Sequence, residues 1–252
     1  MLTSIRGFLA ASSLAGVALA ATPAFAQDET DPPGDITISG YAQVVSDYRF
    51  RGISQSEGKP AVQGSITVTH SSGFYVGTWA SSLHDTPVLG KAEVDLYAGW
   101  TGDVASGITA DAGLLYYVYP DGKVGDANRW EPYASLTAAL GPATAKIGVN
   151  YAWEQDALNG GDNLYVYGEV GTAIPDLPLP VSIIGHLGYS DGARSPRILT
   201  GSGQQGGFDW SLGATANLTR NISIGASYVG VQGASIDDLS TDTVVGTLKF
   251  AF

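Results

Sequence analysis

The chain has 252 residues, no cysteine, 34 glycines, 13 tyrosines and only 14% charged residues, with a formal net charge of −12. Without cysteine there can be no disulfide, thiolate nucleophile or cysteine-held metal, and so acidic a chain is unsuited to nucleic acid. Many glycines and aromatics at low charge favour short strands, tight turns and aromatic belts over helices.

Met1 to Ala26 reads as a secretory signal: Arg6 gives a positive start, Phe8 to Ala21 is apolar, and Ala24-Phe25-Ala26 is an A-x-A cleavage site. Residues 27–35 form a short acidic leader with prolines, expected to be a flexible periplasmic tail. No later stretch has the roughly 18 uninterrupted apolar residues that a membrane helix needs. A secreted chain of this kind is either soluble outside the cytoplasm or a β-barrel in the outer membrane.

From Ile36 onward, about twelve segments alternate polar and apolar residues. They fall near 36–46, 60–70, 73–83, 91–101, 107–119, 130–140, 142–153, 162–174, 179–190, 206–218, 221–231 and 241–252. Each is roughly ten residues long, which is what a tilted strand needs to cross a bilayer. Long connections (47–59, 84–90, 120–129, 154–161, 191–205, 232–240) are interleaved with short ones such as Ser71-Ser72, Gly141 and Arg220. Outer-membrane barrels have this asymmetry, with short periplasmic turns, long outer loops, an even strand number and both termini periplasmic. A Greek-key β-sandwich has no reason for it. The predicted fold is all-β: a transmembrane antiparallel up-and-down barrel of about 12 strands over 36–252, after a signal peptide (1–26) and a leader (27–35).

The last segment is the most explicit. Phe252, Phe250, Leu248, Gly246 and Val244 share one face, and Lys249, Thr247 and Thr243 lie on the other. Leu248, Phe250 and Phe252 are expected to form the assembly signal through which the barrel-assembly machinery takes up the chain.

The same alternation assigns faces elsewhere. An apolar register, including Val76, Leu96, Leu114, Ile147, Leu187 and Leu212, is expected to face lipid. Its aromatics fall at segment ends, as membrane girdles do: Phe74, Trp100, Phe250 and Phe252 at the periplasmic end, and Trp153, Tyr189, Phe208 and Trp210 at the outer end. The opposite register carries Glu93, Asp95, Tyr97, Asp111, Tyr117, Lys146, Tyr167, Glu169 and His186. Unpaired charges cost several kcal/mol each in a dry core, on the order of 3–5, so this face suits a wet or hydrogen-bonded lumen. Twelve strands enclose more room than the eight whose side chains just fill the interior. A narrow pore is expected, with acids outnumbering bases and favouring cations; the tyrosines either offer a sliding surface to solutes or simply fill space.

One loop stands apart. Ser46-Asp47-Tyr48-Arg49-Phe50-Arg51-Gly52-Ile53-Ser54-Gln55-Ser56, then Gly58 to Gly64 and Gly73 to Ser81, resembles the TorF-type porin family, a conserved hypothetical proteobacterial family of outer-membrane β-barrels. That resemblance implies a secreted outer-membrane barrel that passes small solutes. From the residues themselves, Arg49 and Arg51 could share one face at the mouth and pair with lumen carboxylates to form a constriction, since guanidinium and carboxylate match in a bidentate way. The alternative is a solvated loop that binds lipopolysaccharide phosphates or nothing.

No catalytic constellation emerges. His70, His84 and His186 sit in no nucleophile or metal motif, and Ser182 stands roughly 13 Å from His186 along one strand. The Asp156 to Asp162 loop lacks calcium-loop spacing, and no cofactor-binding motif is present. The functional expectation is a non-enzymatic outer-membrane channel for small hydrophilic solutes or ions. Its expected surroundings are outer-membrane lipid and lipopolysaccharide. The competing expectation is a plugged structural or adhesive barrel whose loops bind lipopolysaccharide or a partner.

Overall fold

The computed structural model describes residues 34–252; the signal peptide over 1–26 and residues 27–33 of the leader lie outside the described residues. Fourteen strands run in chain order: β1 Ile36–Val45, β2 Arg49–Phe50, β3 Ile53–Ser54, β4 Ala61–His70, β5 Phe74–Thr86, β6 Gly90–Ala105, β7 Ile108–Val118, β8 Arg129–Leu140, β9 Ala143–Gln155, β10 Gly161–Ile174, β11 Val181–Gly192, β12 Gly207–Asn217, β13 Ile222–Val231 and β14 Thr243–Ala251. All but β2 and β3 join one closed antiparallel barrel in which sequence neighbours pair and β14 closes onto β1. Each of the twelve segments read from the sequence is one of these strands, to within a few residues. The loop after β1 is different. It folds into the two-residue strands β2 and β3, which pair only with each other.

Closure leaves the barrel sheet without an edge. The seam is completed by Gly40 and Phe252, whose backbones exchange hydrogen bonds of 3.0 and 2.9 Å. The terminal ring lies across Gly40, where a Cβ would come within 2.7 Å of it. The C-terminal aromatic therefore fills a notch that only glycine leaves open. The start of β1 and the end of β14 meet at the end of the barrel that carries the short turns, which take two to six residues, with glycine at a positive φ in some, as at Gly73 (φ 92°).

The alternation separates two surfaces. Outside, Val76, Ile147 and Leu212 are 56–64% exposed. Aromatics band both ends: Phe74 pairs across from Trp100 near the termini, and Phe250 is half-exposed there. At the other end Tyr189 packs on Phe208 with ring centroids 4.9 Å apart, Trp153 is exposed, and Trp210 lies over Gly230. Tyr116 stacked on Trp130 at 4.2 Å joins this second band; Trp130 sits at a strand start, where the alternation is too short to reveal it.

Inside, tyrosines lie flat on glycines of the neighbouring strand. Tyr97 covers its register partner Gly77 and Tyr133 covers Gly113, each ring occupying the place where a Cβ would sit, 2.5 Å away. Tyr75 on Gly99 and Tyr167 on Gly148 repeat the pattern. Pairing a ring with a missing side chain supports weak strand glycines and lets a twelve-stranded interior hold large side chains against its wall.

Candidate conduit and the hairpin beside it

The loop after β1 turns into the lumen from the end opposite the termini. Asp47, Tyr48, Arg49, Phe50, Arg51, Ile53, Ser54 and Ser56 are all buried. The two-residue turn between β2 and β3 is Arg51-Gly52, with φ of 47° and 81°, the pair of positive values a type I′ turn requires. Arginine in that region costs about 1 kcal/mol that glycine would not, and the position sends its side chain across the lumen. Gly52 is obligatory for a second reason: a Cβ would lie 2.7 Å from Val231.

Three anchors hold the hairpin. Arg51 Nη2 donates to Glu131 Oε1 on β8 at 2.7 Å, and its guanidinium lies 4.0 Å from the Tyr165 ring centroid. Tyr48 donates its hydroxyl to Glu93 on β6 at 3.1 Å. Arg49 binds Asp47 and donates to the carbonyls of Gly52, Leu239 and Thr241 at 3.1–3.2 Å, which ties the hairpin to the loop before β14. Asp47 also accepts from Ser54 (2.6 Å) and Ser56 (3.0 Å), closing the hairpin base. Burial and the Glu93 carboxylate push the Tyr48 hydroxyl up, which keeps it a donor. For Arg51, burial alone would depress the guanidinium, and the facing Glu131 outweighs it.

On the β4–β9 side the lumen is filled. Glu131 accepts from Arg51, Tyr117 (3.0 Å) and Asn150 (2.9 Å). Arg129 lies 3.7 Å from the Tyr117 ring centroid and donates to Tyr119, which in turn donates to Glu93. Nearer the termini, Tyr75 bonds both Asp111 (2.7 Å) and Tyr133 (2.5 Å), and Tyr97 meets Thr67 at 2.6 Å. Phe50 packs edge-on against Tyr117 and Tyr48 against Trp79, so the hairpin is the lid of this network.

On the other side, between the hairpin and β10–β14 with β1, lies a cavity open to solvent, of about 150 Å³. One wall, on β12–β14, is small and hydroxylic, with Ser211, Thr215, Ser223, Ser227 and Thr247 and with Lys249 over the Tyr41 ring at 4.1 Å; Tyr41, Val45, Phe50, Trp79 and Tyr167 are among the large side chains that line the rest. A second group lining the cavity centres on His186, whose Nδ1 and Nε2 each stand 3.1 Å from a carboxylate, of Glu169 and Asp209 respectively.

The site residues read from the sequence therefore divide. Arg49, Arg51, Glu169 and Tyr167 line the cavity. Glu93, Asp95, Tyr97, Asp111 and Tyr117 face inward too but belong to the filled side, buried away from the cavity. Lys146 stands between, 5.6 Å from the Tyr167 ring centroid. The two arginines do not act alike: only Arg51 reaches a wall carboxylate, while Arg49 serves the hairpin itself. Sequence reasoning missed Glu131, two residues inside the start of β8 and beside Pro132. It shares the register of Tyr133, and that was the available signal. Asp209 is inward on β12, and the sequence alone does not join it to His186, because the partners come from three strands.

A closed antiparallel barrel with an apolar exterior, two aromatic bands and a polar interior is the architecture of outer-membrane porins. Among solved structures this chain is similar to the NanC porin (13% identity, 86% of this chain and 99% of that one, TM-score 0.55). It is likewise similar to the KdgM porin solved in complex with disordered oligogalacturonate (9% identity, 85% and 96%, TM-score 0.54). At such identities the likeness is one of fold. No curated protein matches. The chain belongs to the family described as "Bacterial protein of unknown function (Gcw_chp)", which matches residues 29–250.

Proposed function

We propose that this protein is an outer-membrane channel for passive diffusion of small hydrophilic solutes or ions, conducting through the cavity beside the hairpin. The observation that carries this is a solvent-open cavity with one hydroxyl-lined wall inside a closed barrel with an apolar exterior. Hydroxyls that make no side-chain hydrogen bond within the protein are free to replace a solute's water. In this reading residues 1–26 are cleaved during export, the termini face the periplasm, and the loops meet lipopolysaccharide. Leu248, Phe250 and Phe252 present the last strand to the assembly machinery. The TorF-type resemblance of residues 46–56, 58–64 and 73–81 supports the same assignment, as does the likeness in fold to two proteins named as porins.

Arg51 and the hairpin set the width of the conduit. The acid pair Glu169 and Asp209 on its wall, together with the acidic loops at Asp121, Asp126, Asp237 and Asp238, favours cations by raising their local concentration. The purified protein is expected to give discrete openings in planar bilayers with a modest preference for K⁺ over Cl⁻. A silent bilayer from protein whose heat-modifiable gel mobility shows it folded overturns the reading.

One specific observation favours a second reading, a plugged structural barrel: the hairpin is fixed at three points and caps a filled half-lumen. Silent bilayers with folded protein are the result that reading expects.

A further inference from the structure

His186 projects into the cavity from β11, between Glu169 of β10 and Asp209 of β12. Its Nδ1 is 3.1 Å from Glu169 Oε1 and its Nε2 is 3.1 Å from Asp209 Oδ1. The Tyr165 hydroxyl is 2.9 Å from Nε2 and donates to the same Asp209 oxygen at 3.1 Å. A neutral imidazole has one N–H and one lone pair, so it can donate to only one of two acids. Only an imidazolium donates to both.

The other charged and titratable groups around the ring do not replace it. From β10, Tyr165 and Tyr167 stack against it at 6.5 and 5.7 Å between centroids. From β9, Lys146 is the register partner of Glu169 and points to the Tyr167 ring. From the hairpin, Arg51 lies over Tyr165 and is bound to Glu131. Among the described residues, His186 is the only cationic side chain in direct contact with Glu169 or Asp209.

We propose that His186, held as an imidazolium between Glu169 and Asp209, is the selectivity-determining residue of the conduit. It masks two wall carboxylates, and losing its charge uncovers them to passing cations. The inference rests on the channel reading above and deepens it, because it makes the cation preference an adjustable property of one side chain. With the ring charged, the group carries one net negative charge; with it neutral, two.

The test is the reversal potential across a KCl gradient for the wild type, for His186→Asn, and for His186→Asn combined with Glu169→Gln and Asp209→Asn. His186→Asn is expected to raise the K⁺/Cl⁻ permeability ratio about threefold, the effect of one unit charge in a wet lumen, and the triple variant to abolish the gain. The wild-type ratio is expected to climb by a similar factor from about pH 6 to about pH 10 while that of His186→Asn rises less. An unchanged ratio in His186→Asn, or an equal pH response in both, overturns the proposal. A silent bilayer overturns the channel reading and the selectivity role with it. The 15N spectrum of histidine-labelled protein distinguishes that failure from a wrong ring state: two protonated ring nitrogens on His186 at about pH 7 support the clamp, and one refutes it.

Discussion

The two sides of the lumen are built from the same strand alternation and reach opposite ends. Between β4 and β9 the inward residues are large and mutually bonded: tyrosines laid on glycines, Glu131 accepting from three neighbours, Arg129 against Tyr117. Beyond the Tyr165, Glu169, His186 and Asp209 group on β10–β12, the inward residues toward β14 are small, with Ser211, Thr215, Ser223, Ser227 and Thr247 lining open space. The hairpin is the partition. What differs is side-chain volume and pairing, so a barrel of one circumference can be packed on one side and wet on the other.

Removing the partition should have the largest effect. Replacing residues 47–56 with a short Gly-Ser link is expected to raise single-channel conductance by about threefold, as an interior wider than an eight-stranded one allows. It should also expose Glu93 and Asp95, which are now buried. Next come the acids. Glu131→Ala leaves Arg51 facing no carboxylate, at a site where the pair is 7% and 2% exposed, and should cost about 3 kcal/mol in urea unfolding of the folded barrel. Glu169→Gln, at a carboxylate 25% exposed, should cost less than about 1 kcal/mol. Equal losses would erase the contrast between the two sides.

Smaller effects sharpen it. Gly77→Ala drives a methyl into the Tyr97 ring, 2.5 Å from where its Cβ must go, and is expected to cost about 1–2 kcal/mol. Gly225→Ala on the open side meets nothing nearer than 3.1 Å and should stay within about 0.5 kcal/mol. Denaturant midpoints of the two variants, measured side by side, read the difference.

How far the sequence reached follows the range of the forces involved. Strand boundaries, closure of first strand on last, and the inner and outer registers were legible, because alternation and turn residues are local. Phe74 and Phe208 stand at or beside their strand starts, with Trp100 and Tyr189 paired across from them. The sequence leaves the hairpin's insertion open against a solvated loop, because its burial depends on Glu131, Glu93 and two carbonyls near the last strand, all far away in the chain. Its one local trace was the alternation of Arg49, Phe50 and Arg51 before Gly52. His186 was weighed against Ser182 on its own strand, whereas its partners lie across strand pairs, one of which, Glu169↔His186, could be counted out from the turn at 175–180.

The most direct test uses the absence of native cysteine. Ser81→Cys on β5 and Ser227→Cys on β13 place the same thiol on the filled and the open side, at inward positions of the same native residue type. A charged, water-soluble methanethiosulfonate reagent should modify Ser227→Cys on the order of 100-fold faster, since thiolate reactivity requires access, and should reduce conductance as it does so. Comparable rates at the two positions would contradict a lumen that is packed on one side and open on the other.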